Sequence, residues 1–495
     1  MQIKKFCHIS GTMPVPCPGM RATKGDAFMF KDWKRWALTL LGTLLVVACG
    51  TSGVTGLQLD AKVLTTVRQA ASETLVVGLY PSVPRPEQLQ KAIVAAWSAL
   101  HPDVTLRFNS DWDGGYKADP SGMDVFVFDA IFLDHFRDQN LLAGLDPGSV
   151  SNLDDYVPYA IVGAEHGGKY YGLPMFGCAN ILFYRTGDGP VVNATTLTAL
   201  TKAVGQCTYT SQIPPDKRGL LMDLAGGTTN ACMYIDLAES IDGQWPVPLP
   251  TDPSELNPTA IAGGRSLLST ASYYNATTDP SEGPYSRAAW FSEGNGRILM
   301  GFTEAMSAMT ADTRANLQFK PFPLGDDVTA SSLFYSDLIG ISQGTLSPAL
   351  AVELANLMAS TDVLVAGMQG TGSEPPQFLM PVRTSVFQAL EREDALYTRM
   401  HAMVMAANPI LFNLGVEARE YISGMKEAIK QQTRADYPCG CDQNGGMITT
   451  QSQADAACPG VCGSFGGWNG QWTPYPPGGT SEWQSGCGCN TCPAP

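Results

Sequence analysis

Thr74-Leu75-Val76-Val77-Gly78-Leu79, then the frame Leu89, Ile93, Trp97 and Leu100, then Val104, Leu106 and Phe108, read as a strand, a helix and a second strand in succession. The first run is short and uncharged, as a strand buried on both faces must be. Pro84 and Pro86 break the chain after it, and proline suits the first turn of a helix. The apolar residues that follow recur at four- and three-residue steps, which puts them on one face. His101-Pro102-Asp103 closes the helix. Val104, Leu106 and Phe108 alternate with strand period, and Val125 to Phe128 is another buried strand. This rhythm predicts the α/β class, with a mostly parallel sheet covered by helices. Ligands of such sheets sit beyond the carboxyl ends of the strands. Tyr80, Asp111-Trp112-Asp113 and Asp129 fall there.

The chain has 495 residues, 44% hydrophobic and 16% charged, enough for a large core and too long for one simple domain. Its formal net charge is −15. Residues 1–48 hold seven Lys or Arg against two Asp or Glu, so they carry +5 and the rest carries −20. That surface does not suit nucleic acid, whose phosphates need cationic partners. It suits a cationic ligand, or serves only solubility.

Residues 36–48 are uncharged and mostly apolar. The run is too short to span a bilayer, which takes about 20 residues, and has the length of a signal-peptide core. Lys31, Lys34 and Arg35 give the positive flank, and Val46-Val47-Ala48-Cys49 reads as a lipobox, with Cys49 the lipidated first residue after cleavage. A plain secretory signal with a chance cysteine is the competing reading. Met29 as the start gives a signal of normal length. Both readings export the chain to a compartment where disulfides form; the lipobox leaves it lipid-anchored in the periplasm or at the cell surface. The expected organisation is a signal region over 1–48, a polar tether over 49–73, a folded body over 74–436 and a tail over 437–495.

The tail holds seven of the 13 cysteines: Cys439, Cys441, Cys458, Cys462, Cys487, Cys489 and Cys492. It contains no His and lacks the regular CxxC pairing of zinc sites, so disulfides are expected over a metal knuckle. Trp468, Trp472 and Trp483 are expected to form its small core rather than an adhesive surface.

Cys178 follows Leu173-Pro174-Met175-Phe176-Gly177. A thiolate is the reactive form of cysteine, and at neutral pH it needs a nearby base or a positive field. The bland readings are a small buried hydrophobe or a disulfide to Cys207 or Cys232. Glu304 follows Gly301-Phe302-Thr303 at the end of an apolar run. A partly buried carboxylate there can accept a thiol proton if its pKa rises toward neutrality; a solvated loop acid is the alternative. Asp129 ends Val125–Phe128, and Asp337 precedes Leu338–Ile341. Both are costly to bury unpaired, so each binds a donor-rich heterocycle or a cation, or caps a turn.

Gly168-Lys169-Tyr170-Tyr171-Gly172-Leu173-Pro174, followed by Ile181 to Arg185, resembles the first crossover between lobes of extracellular solute-binding proteins. So does the later order of Gly296 to Phe302, Phe319 to Gly325, Leu338 to Ser342 and Leu379 to Phe387. More narrowly, the chain resembles the thiamine pyridinylases, the type I thiaminases. The matching stretches are Tyr80 to Pro86, Asp124 to Asp129, Tyr171-Gly172-Leu173-Pro174 running into Cys178, Gly226-Gly227-Thr228-Thr229, Gly301 to Ser307 and Phe334-Tyr335-Ser336-Asp337.

The resemblance implies a two-lobed, class II periplasmic-binding-protein-like body. It places the nucleophile on Cys178 and its base on Glu304. Asp129 and Asp337 match acids that hold the aminopyrimidine, and Tyr80 and Tyr335 match cleft tyrosines. Asp154 and Asp155 are candidates for one further acid. The implied substrates are thiamine and a small nucleophile (an amine, a pyridine or a thiol). A monomer is expected, with no metal or tightly bound cofactor. The rival reading is a non-catalytic lipoprotein that delivers thiamine or a sugar to an importer. The cysteine-rich tail lies outside the resemblance.

Overall fold

The computed structural model describes residues 73–495 apart from 206–213, 216, 224–226, 244, 275–282, 328–331, 435–441, 473–484 and 490–495. The expected signal region, the tether up to residue 72, Cys49, Cys207, Cys439, Cys441, Cys492 and Trp483 lie outside the described residues. The opening prediction holds at its centre. Strand β1 (Glu73–Gly78) leads to helix α1 (Pro86–Leu100) and strand β2 (Val104–Phe108). Pro86 opens the helix, and Leu89, Ile93 and Trp97 are its buried stripe. Trp97 Nε1 donates to the Val104 carbonyl at 3.1 Å, fastening helix to strand. Leu100 departs from expectation: it is the last helical residue and is 57% exposed.

The next strands are β3 (Val125–Asp129), β4 (Leu173–Cys178), β5 (Ile181–Arg185), β6 (Leu220–Met222), β7 (Ala271–Tyr274) and β8 (Ile298–Gly301). They are followed by β9 (Leu317–Pro321), β10 (Leu333–Ile341), β11 (Met380–Pro381) and β12 (Ile410–Leu411). The first sheet has the order β11-β4-β10-β3-β1-β2, with β12 also paired to β10. The second has the order β9-β5-β8-β6-β7. The two sheets are the two lobes.

Neither sheet is mostly parallel. β1 runs parallel to β2 and β3, but β10 is antiparallel to both β3 and β4. In the second sheet β6 is parallel to β7 and β8, while β5 is antiparallel to β8 and β9. The cause is the passage between lobes. β4 ends one sheet and β5 begins the other after Ala179-Asn180, and β9 leads back to β10. A strand that re-enters from the neighbouring lobe arrives against the direction of the strands already there.

Helices α2 (Thr228–Asp242) and α3 (Pro258–Thr270) belong to the second lobe. Helix α4 (Ala418–Arg434) packs on both, after a third crossing that follows β12. The tail forms its own sheet, β13 (Asp442–Gly446), β15 (Ser485–Cys489) and β14 (Trp468–Trp472) in spatial order, with helix α5 (Gln451–Val461). Cys458–Cys487 and Cys462–Cys489 are disulfides that tie α5 to β15. These four cysteines, Ile448 and Ala454 form a separate buried cluster, and Trp468 and Trp472 pack against it.

Candidate active site

The register of three strands builds the floor of the cleft. Asp337 pairs with Asp129 across β10 and β3, and Tyr335 pairs with Cys178 across β10 and β4. Residues directly opposite share a face of the sheet, and so do residues two apart on one strand. Tyr335 and Asp337 therefore present Cys178 and Asp129 side by side. Gly177 is demanded by the packing beneath: a Cβ there would collide with the Tyr159 hydroxyl.

A cleft of about 600 Å³ lies over this floor. Tyr80, Asp129, Cys178, Glu304, Tyr335 and Asp337 all line it. Glu304 comes from the second lobe, at the first turn of a 3₁₀ helix (Thr303–Ala308) just after β8. Thr228 and Thr229, at the start of α2, also reach the cleft, as does Cys232 further along that helix. Cys178 is a free, partly exposed thiol, and Cys232 is free and buried. Cys178 is in no disulfide, and it packs against the core as a partly buried residue while also lining the cleft.

The electrostatics are those of clustered acids. Burial raises the Glu304 carboxyl to about 7. Asp129 rises to about 6 through burial, against hydrogen bonds from the Ile131 amide and the Tyr116 hydroxyl. Burial, then the charges of Asp129 and Glu304, push Asp337 well above the usual carboxylate range. The Cys178 thiol is also pushed up, first by burial and then by Glu304, Asp337 and Asp129. Of the two routes to a thiolate expected from sequence, a carboxylate lies in the same cleft, and the one cationic side chain among the described lining residues, Arg287, is paired with Asp223. A cleft that keeps several acids close, with carboxyls raised above their ordinary range, favours a cation, whose charge relieves their repulsion.

Tyr116 was missed by sequence reasoning. Its hydroxyl donates to Asp129 Oδ2 at 2.8 Å and lies 3.1 Å from the Tyr80 hydroxyl. The signal was available in Asp113-Gly114-Gly115-Tyr116. Asp113 accepts from the amides of Gly115 and Lys117 and so shapes the turn that delivers Tyr116. Gly114 has φ of 81°, and a Cβ there would lie 2.6 Å from the Tyr80 ring. Tyr285 and the Arg287–Asp223 ion pair (3.5 Å) were missed too, since α-helical residues 284–292 carry no distinctive pattern. Asp154 and Asp155 do not line the cleft. Asp154 is exposed, and Asp155 binds Arg383 at 3.3 Å and the Ser385 hydroxyl at 2.6 Å, so it anchors a helix start instead.

Two α/β lobes and three crossings, with a thiol and a carboxylate lining one cleft, define a scaffold of the two-lobed solute-binding type. The Thiaminase-1 domain family matches residues 179–325. Thiaminase-1 of Paenibacillus thiaminolyticus is 35% identical over 419 residues, covering 83% of this chain and 97% of that relative. Thiaminase I from Bacillus thiaminolyticus superposes with a TM-score of 0.68 at 36% identity, over 73% of this chain and 99% of its own. Clostridium botulinum thiaminase I in complex with thiamin gives a TM-score of 0.67 at 32% identity, over 73% and 100%. A maltose-bound binding protein of T. maritima shares the fold alone, with a TM-score of 0.54 at 14% identity over 73% and 98%. This chain belongs to the thiaminase I family.

Proposed function

We infer that this protein is a thiamine pyridinylase, a transferase that degrades thiamine by base exchange. The observation that carries the reading is that Cys178 and Glu304, on different lobes, line one cleft with Asp129 and Asp337, in a chain 35% identical to a thiaminase over 83% of its length. The importer-lipoprotein reading rests on fold alone, and fold does not fix function.

In the proposed mechanism the thiazolium of thiamine enters the acidic, tyrosine-lined cleft, where charge and cation–π contact worth about 0.5–2 kcal/mol hold it. Glu304, whose carboxyl titrates near 7, takes the proton of Cys178. The sulfur bonds to the pyrimidine ring carbon next to the one bearing the methylene bridge. The displaced ring electrons settle on a ring nitrogen, which takes a proton from Asp337 or Asp129; their raised pKa values keep such a proton available. Those electrons then return, the methylene–nitrogen bond breaks, and neutral thiazole leaves with the bonding pair. The amine, pyridine or thiol bonds to the methylene carbon, an amine or thiol giving up its proton. The sulfur departs as thiolate and is reprotonated by Glu304, the ring nitrogen returns its proton to the aspartate, and aromaticity is restored. One hard displacement becomes two easier ones.

In this reading a monomer is sufficient, since the two lobes of one chain bring Cys178, Glu304, Asp129 and Asp337 to the same cleft. It is exported: the signal-like 31–48 segment supports this, and so do the tail disulfides, which persist in oxidising compartments. Lipidation of Cys49 would then anchor it. The test is incubation with thiamine and aniline. Free thiazole with the aniline adduct supports the reading; intact thiamine at equilibrium binding leaves only a receptor.

A further inference from the structure

Behind the cleft lies a second, smaller cavity of about 200 Å³, bordered by Asn180, Asp236, Glu239 and the return segment 321–325. Asp236 does not line the main cleft. It is 5% exposed and stands on α2 one turn beyond Cys232, so both point from the same face of that helix. Its Oδ2 accepts from Asn180 Nδ2 at 2.6 Å and from the Tyr335 hydroxyl at 3.2 Å. Asn180 lies in the first crossover, two residues after Cys178, and Tyr335 lies in β10, just after the return crossing, in register with Cys178.

We propose that Asp236 is a positioning residue: from the second lobe it holds Asn180 and Tyr335 of the two crossover segments and so fixes the cleft wall that faces Cys178. The proposal deepens the thiaminase reading and rests on it for its turnover assay. The buried Tyr335 ring packs between two aromatic neighbours, Phe302 at 6.2 Å and Phe412 at 4.7 Å between ring centroids. Neither supplies a polar partner, so the hydroxyl is set by Asp236, with Asn180 Nδ2 at a marginal 3.5 Å. Phe302 precedes Glu304 by two residues. A shift of Tyr335 therefore disturbs both the nucleophile and its base. Burial, opposed by the two hydrogen bonds and aided by Glu239, pushes the Asp236 carboxyl up to about 8. A neutral carboxyl pairs one donor with one acceptor, as a carboxamide does.

The experiment is a double-mutant cycle on the full chain with Asp236→Ala, Tyr335→Phe and the pair, and with Asp236→Asn as the conservative variant. Two readouts are taken: steady-state thiazole release, and the rate at which iodoacetamide modifies Cys178, located by peptide mass spectrometry. Melting curves correct both for the folded fraction. Asp236→Ala is expected to lower kcat by about 10- to 100-fold, the scale of a small misplacement near the chemistry, with KM little changed. The double variant is expected to be no slower than the worse single variant, because residues that act through one another do not add. Asp236→Asn is expected to lose less than Asp236→Ala. Multiplicative losses, a wild-type kcat in Asp236→Ala, or a loss that vanishes on correction for folding would each overturn the proposal. If the unmodified protein releases no thiazole, the thiaminase reading fails separately. The Cys178 alkylation cycle then still decides: a non-additive pattern supports the role of Asp236, and an additive one ends it.

Discussion

The cysteines of the cleft and the cysteines of the tail are the same side chain put to opposite uses. In the tail, Cys458, Cys462, Cys487 and Cys489 are fully buried and joined in pairs, and they make up most of a core with few other apolar residues. In the body, two large sheets and their helices supply the core, and Cys178 and Cys232 stay unpaired. The difference teaches that a thiol can stay unpaired where apolar packing already holds the fold. Where packing is scarce, thiols become the packing, as in small stapled domains generally.

The largest effect expected of this contrast is on the cleft side. Cys178→Ser should abolish thiazole release while still binding thiamine in a calorimeter. Normal turnover by that variant would remove the nucleophile from the account. Next comes Glu304→Gln, expected to slow turnover by about 10²–10⁴, the usual span for lost general-base help. In the unmodified protein the base must be ionised, so the rate should climb as pH rises through about 7. That limb should be missing from the Gln variant. A loss below threefold, or an unchanged pH limb, would assign the base elsewhere.

Asp129→Asn sits between the two regions in size of effect. The folded protein holds this carboxyl proton more tightly than the unfolded chain does, with the value raised from 3.8 to about 6. Folded protein then binds more protons than unfolded, so stability falls as pH climbs through that window. Removing the group should raise the melting temperature of the ligand-free protein at pH 8 by about 2–4 °C. It should also weaken thiamine binding by about tenfold, near 1.4 kcal/mol. A variant that melts lower and binds equally well would contradict the picture of clustered acids awaiting a cation.

How much of this was legible in the sequence follows the range of each interaction. Helix α1 was read from local period, because Leu89, Ile93 and Trp97 recur at helical spacing and Pro86 marks the start, and strand β1 from a short uncharged apolar run. Strand direction was not legible: the antiparallel pairing of β10 with β3 and β4 depends on crossings between lobes that no local pattern encodes. Cys178 and Glu304 were visible as chemistry-bearing residues at the ends of apolar runs. Their meeting in one cleft is a fact of the fold. Asp236 was invisible, because a carboxylate inside the sequence Tyr234-Ile235-Asp236-Leu237 looks like any polar position on a helix, and only Asn180 and Tyr335 give it a partner. Asp155 looked like a binding acid and is a structural one, since the Arg383 guanidinium that holds it is distant in sequence.

The smallest effect is expected from the tail. Reducing its two disulfides should destabilise that unit by roughly 2–5 kcal/mol, read as the loss of its own unfolding step. Deleting 437–495 should leave thiazole release unchanged. Loss of turnover on deletion would merge the two regions that the contrast separates.

The most direct measurement is mass spectrometry of the protein after incubation with thiamine and no added nucleophile. The account predicts one pyrimidinylmethyl group on the peptide containing Cys178, with an equal amount of thiazole set free. Thiazole release with that peptide unmodified, or with the group on another residue, would contradict it.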